Sequence, residues 1–257
     1  MFGGNRPSPA GGHTGATETY DGSTFTEVAD MNTARSQLNS AKNGTQTATL
    51  VIAGNTPTAT VAIVESWNGS SWTEVGDLNS ARRAGGGAGT SAAALYFGGR
   101  EPYVAYTESW DGSSWTEVND LNEARIYMSS WGTQTSALAA GGNEPSTVNS
   151  TETWNGSSWT EVNNLNTTSG EMGGAGPSTS DGLAFGGSPY SPTTQTKTEI
   201  WDGTNWTEAN DLSTGKAAAG SAGTPVSAIY AGGEAPPKVA TSEMWTGGLA
   251  NKTITTS

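Results

Sequence analysis

Short apolar runs recur along the chain, and glycine, asparagine or aspartate bounds most of them. Within residues 83–121, the runs AAALYFGG (92–99), TESW (107–110) and SSWTEV (113–118) have the length of strands, and none follows a helical period. The preceding AGGGAG contains only small side chains. Because Asp111-Gly112 tolerates positive φ, it predicts a tight hairpin between the last two runs. The pattern therefore predicts four short antiparallel strands.

The same pattern returns at nearly even intervals along the whole chain. ESWDGSSWTEV at 108–118 has the near copies ETYDGSTFTEV, ESWNGSSWTEV, ETWNGSSWTEV and EIWDGTNWTEA, and a worn copy begins at Glu243. Three features mark the units: a double glycine, a first aromatic residue after it, and a second aromatic residue five positions later. The first aromatic residues are Tyr20, Trp67, Trp110, Trp154, Trp201 and Trp245, and the second include Trp72, Trp115, Trp159 and Trp206. The double glycines are Gly98-Gly99, Gly141-Gly142, Gly186-Gly187 and Gly232-Gly233. Trp131 is the one tryptophan outside this repeat.

Four-stranded units of roughly 44 residues are typical of a β-propeller, in which blades stack radially around an axis. This predicts an all-β fold with an innermost strand limited to Gly, Ala and Ser, because the blades converge at the axis. The tryptophans are expected to fill the wider space between blades. The Glu of each TEV (Glu27, Glu74, Glu117, Glu161 and Glu208) is expected at the solvated outer edge.

Residues 1–257 are predicted to form one propeller domain, with a partial unit over 1–30 and full units over 31–78, 79–121, 122–165, 166–212 and 213–257. Six blades are preferred, and this interpretation leaves one inner strand missing, which would lie upstream if the polypeptide begins before Met1. The alternative is five blades, closed by pairing of 16–28 with 217–233 and leaving 241–257 over.

A strand that ends in Gly-Gly, followed by an aromatic and by Trp five residues later, resembles the kelch repeat over almost the whole chain. The uniform SWNGSSWTEV style, with Gly-Thr-Gln-Thr turns at 44–47 and 132–135, also looks like kelch-type repeats in virion proteins of tailed bacteriophages. The first kelch aromatic is usually Tyr, whereas here it is mostly Trp. The resemblance implies a propeller and, in its second form, a role on a phage particle.

Charge and composition narrow the function classes. The net charge is −13 with only 11 basic residues, so nucleic acid is not an expected partner. The chain has no cysteine, its start lacks the pattern of a signal peptide, and no apolar run is long enough to span a membrane. We therefore expect no cofactor, no bound metal and no membrane insertion.

Catalytic motifs are weak in this sequence. The kelch-like copper oxidases need several Tyr and His ligands and a Cys, whereas this chain has only His13, which is interpreted as an exposed loop residue. Ser109–Trp115 approaches the Asp-box of sialidases, but Asp111 and Gly112 are one residue too close. The repeated Glu residues are equivalent to one another, which argues against a unique carboxylate pair of a glycosidase. Asp and Asn alternate after the first aromatic, which favours a local side-chain turn over a calcium site.

The loops between second and third strands differ most among the copies, and they share one face with the blade-to-blade connections. This face is therefore the predicted binding face. Arg35, Arg82, Arg125 and Lys216 occupy equivalent connections, either bridging neighbouring blades or forming a basic ring at the axial mouth that holds an acidic group. Tyr103, Tyr106 and Tyr190 are candidate stacking surfaces.

The sequence thus favours a non-enzymatic binding or structural propeller. The preferred setting is a phage virion surface or tail appendage, with other virion proteins or host-surface glycans and proteins as partners. A free-standing lectin-like propeller is the alternative, and a glycoside hydrolase is a third class. Localisation at the virion surface or outside the cell is expected, and a homo-oligomer remains open.

Overall fold

The computed structural model describes residues 3, 5–6, 12–189, 193–234, 241–247 and 249–254, and for residues 5, 6, 144 and 249–254 the backbone alone. All regular structure in this part of the chain is β. The first strands are β1 (Asn5–Arg6) paired with β2 (Gly12–His13), and β3 (Thr17–Tyr20) paired with β4 (Phe25–Val28). Five four-stranded sheets follow, and in each the strand order equals the chain order.

The five sheets are numbered as blades in chain order. Blade 1 contains β5 (Asn39–Ser40), β6 (Thr49–Asn55), β7 (Thr60–Trp67) and β8 (Trp72–Glu74), and blade 2 contains β9 (Gly86–Gly89), β10 (Ala94–Phe97), β11 (Thr107–Trp110) and β12 (Trp115–Val118). Blade 3 contains β13 (Ser129–Thr133), β14 (Ser136–Glu144), β15 (Ser146–Trp154) and β16 (Trp159–Val162). Blade 4 contains β17 (Gly173–Ser178), β18 (Asp181–Phe185), β19 (Thr198–Trp201) and β20 (Trp206–Glu208), and blade 5 contains β21 (Gly220–Thr224), β22 (Ser227–Ala231), β23 (Ser242–Thr246) and β24 (Leu249–Ile254).

The blades are arranged as a propeller, which confirms the predicted fold class. Five blades are complete, so the count agrees with the predicted alternative and not with the preferred six. The innermost strands of consecutive blades contact one another around the axis: β5 with β9, β9 with β13, β13 with β17, and β17 with β21. The predicted closure of the five-bladed form is wrong. Strand β22 pairs with β21 and β23 in its own blade rather than with residues 16–28, because the C-terminal segment completes that sheet.

The hairpin β3–β4 lies between blade 5 and blade 1. Trp72 Nε1 donates to Thr17 Oγ1 at 3.1 Å, as Trp159 donates to Thr107 of the preceding blade. On the other side, the Tyr20 hydroxyl donates to Met244 Sδ at 3.8 Å. The hairpin therefore supplies the third and fourth strands of a sixth blade position, next to the five complete blades.

The turn between third and fourth strands follows from one side chain. Asp111 Oδ1 accepts hydrogen bonds from the backbone N–H of Ser113 at 2.8 Å and of Ser114 at 2.9 Å, and Gly112 adopts φ 97°. These bonds lower the pKa of Asp111 to about 2, and Asn68 makes the same backbone bonds without a charge. The interpretation as local side-chain turns is therefore confirmed, because an amide carbonyl serves as well as a carboxylate.

Tryptophan pairs hold the blades together, as predicted. Trp110 and Trp115 are 2% and 6% exposed, with ring centroids 5.4 Å apart. Trp110 Nε1 donates to Ser91 O within its blade, whereas the second Trp of a unit reaches the preceding blade. Because burying an indole removes about 150–250 Å² from water, these pairs offset the low apolar content of the chain.

One tryptophan lacks the partner that its equivalents have. Trp72, Trp159 and Trp206 each donate to a Thr of the preceding blade, but Val64 stands at that position for Trp115, whose Nε1 is buried without a partner. We expect Val64→Thr to raise the free energy of unfolding by about 1 kcal/mol, because it supplies the acceptor without changing shape. Chemical denaturation measures this change. The control is Val51→Thr at another fully buried position, and destabilisation by both variants would contradict the explanation.

The innermost strands are not limited to small residues, which corrects one prediction. Trp131 lies in β13 at the position of Ala88 and Ala175, and it is fully buried. Its ring occupies the space above Gly182, where a Cβ would lie 2.0 Å from Trp131 Cζ2. A glycine in the next blade therefore makes room for the indole.

Within the described residues, no helix has the length and apolar character needed to cross a membrane.

Candidate functional site

The cations at the blade-to-blade connections are buried, which corrects the prediction of a basic ring open to ligand. Arg35, Arg82, Arg125 and Lys216 are 0–1% exposed, and each is ion-paired with a glutamate on the third strand of the blade that follows: Glu65, Glu108, Glu152 and Glu243. Arg125 Nη2 lies 2.8 Å from Glu152 Oε1. The structure therefore agrees with the alternative in which these side chains bridge structural elements.

Each buried glutamate also fixes the connection that enters its blade. Glu152 Oε2 accepts from the backbone N–H of Asn122 at 2.8 Å and from its Nδ2 at 2.7 Å. Blade 4 has Ser169 at the position of the arginine, and there Gln195 Nε2 donates to Gly186 O as Arg125 Nη1 donates to Gly141 O. These contacts make the connections rigid supports for the residues that follow them.

The residue two positions after each of these side chains lies at the axial mouth. Gln37, Ala84, Tyr127, Glu171 and Ala218 all have φ between 51° and 59°, which is the left-handed region that such residues seldom adopt. Their backbones are joined in series, because Ala84 N donates to Gln37 O, Tyr127 N to Ala84 O, Glu171 N to Tyr127 O, and Ala218 N to Glu171 O, at 2.7–2.9 Å. Strain held by surrounding structure in this way concentrates at functional sites.

Polar side chains cluster on this ring, and we call Gln37, Arg83, Arg100, Tyr127 and Glu171 the mouth cluster. Gln37 Nε2 donates to the Tyr127 hydroxyl, and the positive charges of Arg100 and Arg83 lie close enough to oppose the rise in the pKa of Tyr127. Arg83 and Arg100 are paired in the backbone bridge that precedes the second-to-third-strand loop of blade 2. The cluster therefore joins the innermost residues to the divergent loop face.

The arginines of the mouth cluster face one acidic side chain. Arg83 Nη2 lies 2.6 Å and Arg100 Nε lies 3.7 Å from Glu101 Oε1, and the Glu101 side chain is 44% exposed. The Arg100 guanidinium also lies 5.7 Å from the ring of Tyr103. In a chain with only 11 basic residues, Arg83 and Arg100 therefore form a pair of adjacent cations beside one partly exposed carboxylate.

Three polar atoms around the mouth are buried without a hydrogen-bond partner: Gln37 Oε1, Arg83 Nε and Asn143 Oδ1. Buried polar atoms are nearly always paired in folded proteins, because leaving one unpaired costs about 1–3 kcal/mol. A polar ligand or an ordered water molecule that reaches these atoms can satisfy them. The geometry therefore suits a ligand that both donates and accepts hydrogen bonds.

Burial disfavours the charged form of two titratable groups at the mouth, Glu171 and Tyr127. Burial, followed by the charge of Glu234, raises the pKa of Glu171 above its usual range. Burial and the charge of Glu171 raise the pKa of Tyr127, against the opposing effect of Arg100 and Arg83. Perturbed titratable groups in a cleft are typical of functional sites, because they are retained at a cost to stability.

This cost gives a testable pH dependence. A carboxyl whose pKa is raised by folding contributes stability below its unfolded pKa of about 4.3, and that contribution is lost as the pH rises through the folded value. We expect Glu171→Gln to be more stable than the wild type at pH 7 and equally stable below about pH 4. Thermal unfolding across this pH range measures the difference. A variant that is less stable at pH 7 would show that the charge of Glu171 is compensated.

Other predicted site residues lie farther from the axis. Tyr103 and Tyr106 are 39% and 41% exposed on the blade 2 loop, whereas Tyr190 lies outside the described residues. The Glu side chains of the TEV motifs are exposed on the outermost strands, as predicted. His13 is partly buried in β2, with Nδ1 unpartnered, which corrects the prediction of an exposed loop histidine.

None of the five members of the mouth cluster was predicted from the sequence as an individual site residue. A signal was present, because the connections are nearly constant up to the buried cation and then differ sharply two residues later. The same divergence criterion that selected the loops would have selected Gln37, Tyr127 and Glu171. No group of three or more His, Cys, Asp or Glu with the geometry of a metal site occurs in the part of the chain that the structure describes.

Comparisons with known proteins establish the fold alone. No protein-family model matches the chain, and no curated protein matches it either. Among solved structures, that of YjhT is similar with a TM-score of 0.75 at 12% sequence identity, over 93% of this chain and 91% of that one. At this identity the similarity supports a propeller and carries no statement about activity.

Proposed function

We propose that this chain is a non-enzymatic binding propeller that holds a polar, acidic ligand at the mouth cluster. The observation that carries the proposal is the set of unpaired buried polar atoms beside two arginines at the axis. A glycan with a carboxylate, or an acidic peptide, presents the required acceptors and donors. Its carboxylate takes the position of Glu101 between Arg83 and Arg100, and its hydroxyl or amide groups bond to Gln37 and Asn143.

The rigid scaffold is the second part of the proposal. The mouth residues are held by the backbone ring, and the connections beneath them are fixed by buried ion pairs. Because little conformational entropy remains to be lost at such a site, binding energy is retained as affinity. Tyr103, exposed beside Arg100, adds a ring face for stacking against a sugar.

The biological setting that we propose is the surface or tail appendage of a phage particle, with a kelch-like propeller that docks to other virion proteins or attaches to the host. The support for this setting is the style of the repeats and their resemblance to kelch-type repeats of virion proteins. A free-standing lectin-like propeller uses the same mouth. Co-purification with virion proteins in fixed stoichiometry distinguishes the virion setting from the free-standing one.

Binding is tested on an array of neutral and acidic glycans and acidic peptides. We expect Arg100→Ala and Tyr127→Phe to weaken binding of the selected ligand by about 10-fold or more, since each removes a hydrogen bond to the ligand or to its support. The matched control is Glu117→Gln at the exposed outer edge of the same blade. Equal affinity of the mouth variants and the control would contradict the proposed site.

One observation favours the hydrolase class as a second candidate. Glu171 has a raised pKa and feels the charge of a second carboxylate, Glu234, which is the arrangement that suits a general acid. If the chain is a hydrolase, Glu171→Gln abolishes turnover of a glycan that the wild type cleaves. If it is a binding module, the wild type leaves every bound glycan intact, as judged by mass spectrometry.

A further inference from the structure

The inner strand of blade 5 is exposed, unlike its equivalents. Ala222 of β21 is exposed, whereas Ala41, Ala88, Trp131 and Ala175 at the same position in blades 1 to 4 are at most 3% exposed. Gly220, Gly223 and Thr224 are exposed as well. Each buried equivalent faces the complete blade that follows it, whereas β21 faces the sixth position, where the described strands are β1–β2 and β3–β4 and none of them is an innermost strand.

The inner strand of blade 1, which lies on the other side of the sixth position, is also more exposed than its equivalents. Asn39 and Ser40 of β5 are partly exposed, whereas their counterparts in β9, β13 and β17 are buried. In the hairpin itself, Tyr20 and Phe25 are partly exposed, although the equivalent Trp154 and Trp159 are buried. Ile229 is partly exposed where Leu95, Leu138 and Leu183 are fully buried. We call the opening between β21 and β5 the inner slot.

The register of the inner strands defines what fits the slot. At one equivalent position the residues alternate around the axis: Ser40, Gly87, Ser130, Gly174 and Ser221. Gly87 N donates to Ser130 Oγ at 3.1 Å, and Gly174 N donates to Ser221 Oγ at 3.0 Å. Each glycine also lies against the preceding blade, since a Cβ on Gly87 would be 2.3 Å from Ser40 O and one on Gly174 would be 2.3 Å from Ser129 Oγ.

We propose that the inner slot binds an extended, glycine-centred strand donated by another protein. The alternation places glycine between Ser221 and Ser40, where its N–H donates to Ser40 Oγ and its lack of a side chain permits contact with β21. Small residues on either side cover Ala222 and Gly223, as the chain's own inner strands do in the complete blades. This inference is independent of the ligand proposed for the mouth cluster.

A peptide test uses the chain's own sequence as the probe. The peptide RAGGGAGTS copies residues 83–91, and RAGGVAGTS replaces its central glycine with valine. We expect saturating RAGGGAGTS to raise the Tm of the full chain by about 4 °C or more and to slow amide exchange in β21 and β5. The valine peptide is expected to have no effect, because its side chain meets the wall formed by β21.

Variants of the slot complete the test. Ala222→Leu, at an exposed position, is expected to leave the Tm of the free chain unchanged and to abolish the peptide effect, and Ser40→Ala is expected to weaken peptide binding about 5-fold or more. Lack of stabilisation by RAGGGAGTS, or equal stabilisation by both peptides, would overturn the proposal. Self-association that protects β21 in the wild type and disappears in Ala222→Leu would also overturn it, since a second copy would then occupy the slot.

Discussion

Replacing Glu152 with alanine is expected to lower the free energy of unfolding by about 3–5 kcal/mol. The carboxylate is buried, pairs with Arg125 at 2.8 Å and accepts two hydrogen bonds from Asn122. Its removal breaks the ion pair that the buried Arg125 guanidinium makes with Glu152. It also releases the connection that carries Tyr127, so ligand binding at the mouth is expected to weaken in the same variant. Chemical denaturation measures the first effect.

The control for this prediction is Glu161→Ala, because Glu161 is paired directly across from Glu152 in the same sheet and is exposed. A surface substitution of this kind is expected to change stability by no more than about 0.5 kcal/mol. Equal losses in the two variants would show that the buried pairs do not determine stability. Wild-type stability of the Glu152→Ala variant would also contradict the prediction, because breaking a buried ion pair is expected to destabilise the fold.

The second large effect concerns the packing of blade 3 against blade 4. Trp131→Ala is expected to cost about 3–5 kcal/mol, since the ring is fully buried, packs edge-on against Trp206 and donates from Nε1 to Ser178 O at 3.0 Å. Gly182→Ala is expected to cost about 1–3 kcal/mol, because its Cβ would lie 2.0 Å from Trp131 Cζ2. Unfolding of both single variants by denaturant measures these costs.

The double variant Trp131→Ala/Gly182→Ala shows whether the cost of Gly182→Ala comes from its contact with the Trp131 ring or from a general loss of stability. Once the indole is absent, the added methyl group at Gly182 fills part of the cavity, so Gly182→Ala is expected to be neutral or stabilising in the Trp131→Ala background. This corresponds to a coupling energy of about 1 kcal/mol or more. Gly215→Ala is the control, since the atom nearest to its Cβ would be Thr194 Oγ1 at 3.1 Å. Additive losses would mean that Gly182 is not retained for the indole.

Propeller construction explains how this chain combines uniform blades with one polar mouth. The buried ion pairs and tryptophans repeat from blade to blade, so they are part of the scaffold. The mouth cluster does not repeat, because the backbone ring has Gln37, Tyr127 and Glu171 at three of its positions and alanine at the other two, Ala84 and Ala218. Asymmetry on a symmetric scaffold is therefore the feature that marks the candidate site.

The sequence by itself determined the local structure of the blades. Asp111-Gly112 predicts its hairpin because the turn depends on one side chain and one positive φ, and both are local properties. The spacing of Trp110 and Trp115 predicts a cross-strand pair for the same reason, since the two residues face each other across that hairpin. The predicted propeller follows from the number of such strands per repeat.

Only the tertiary structure decided which polar residues are free to bind. Arg125 is chemically suited to bind an anionic ligand. Glu152 lies 27 positions later in the sequence and pairs with Arg125 only when the third strand of blade 3 folds back onto the connection. Trp131 contradicts the small-residue rule for inner strands because Gly182 in another blade makes space for it. Gln37 and Tyr127 meet across the axis, 90 positions apart. Contacts of this kind depend on blade stacking around a common axis, and no short stretch of the sequence contains that information.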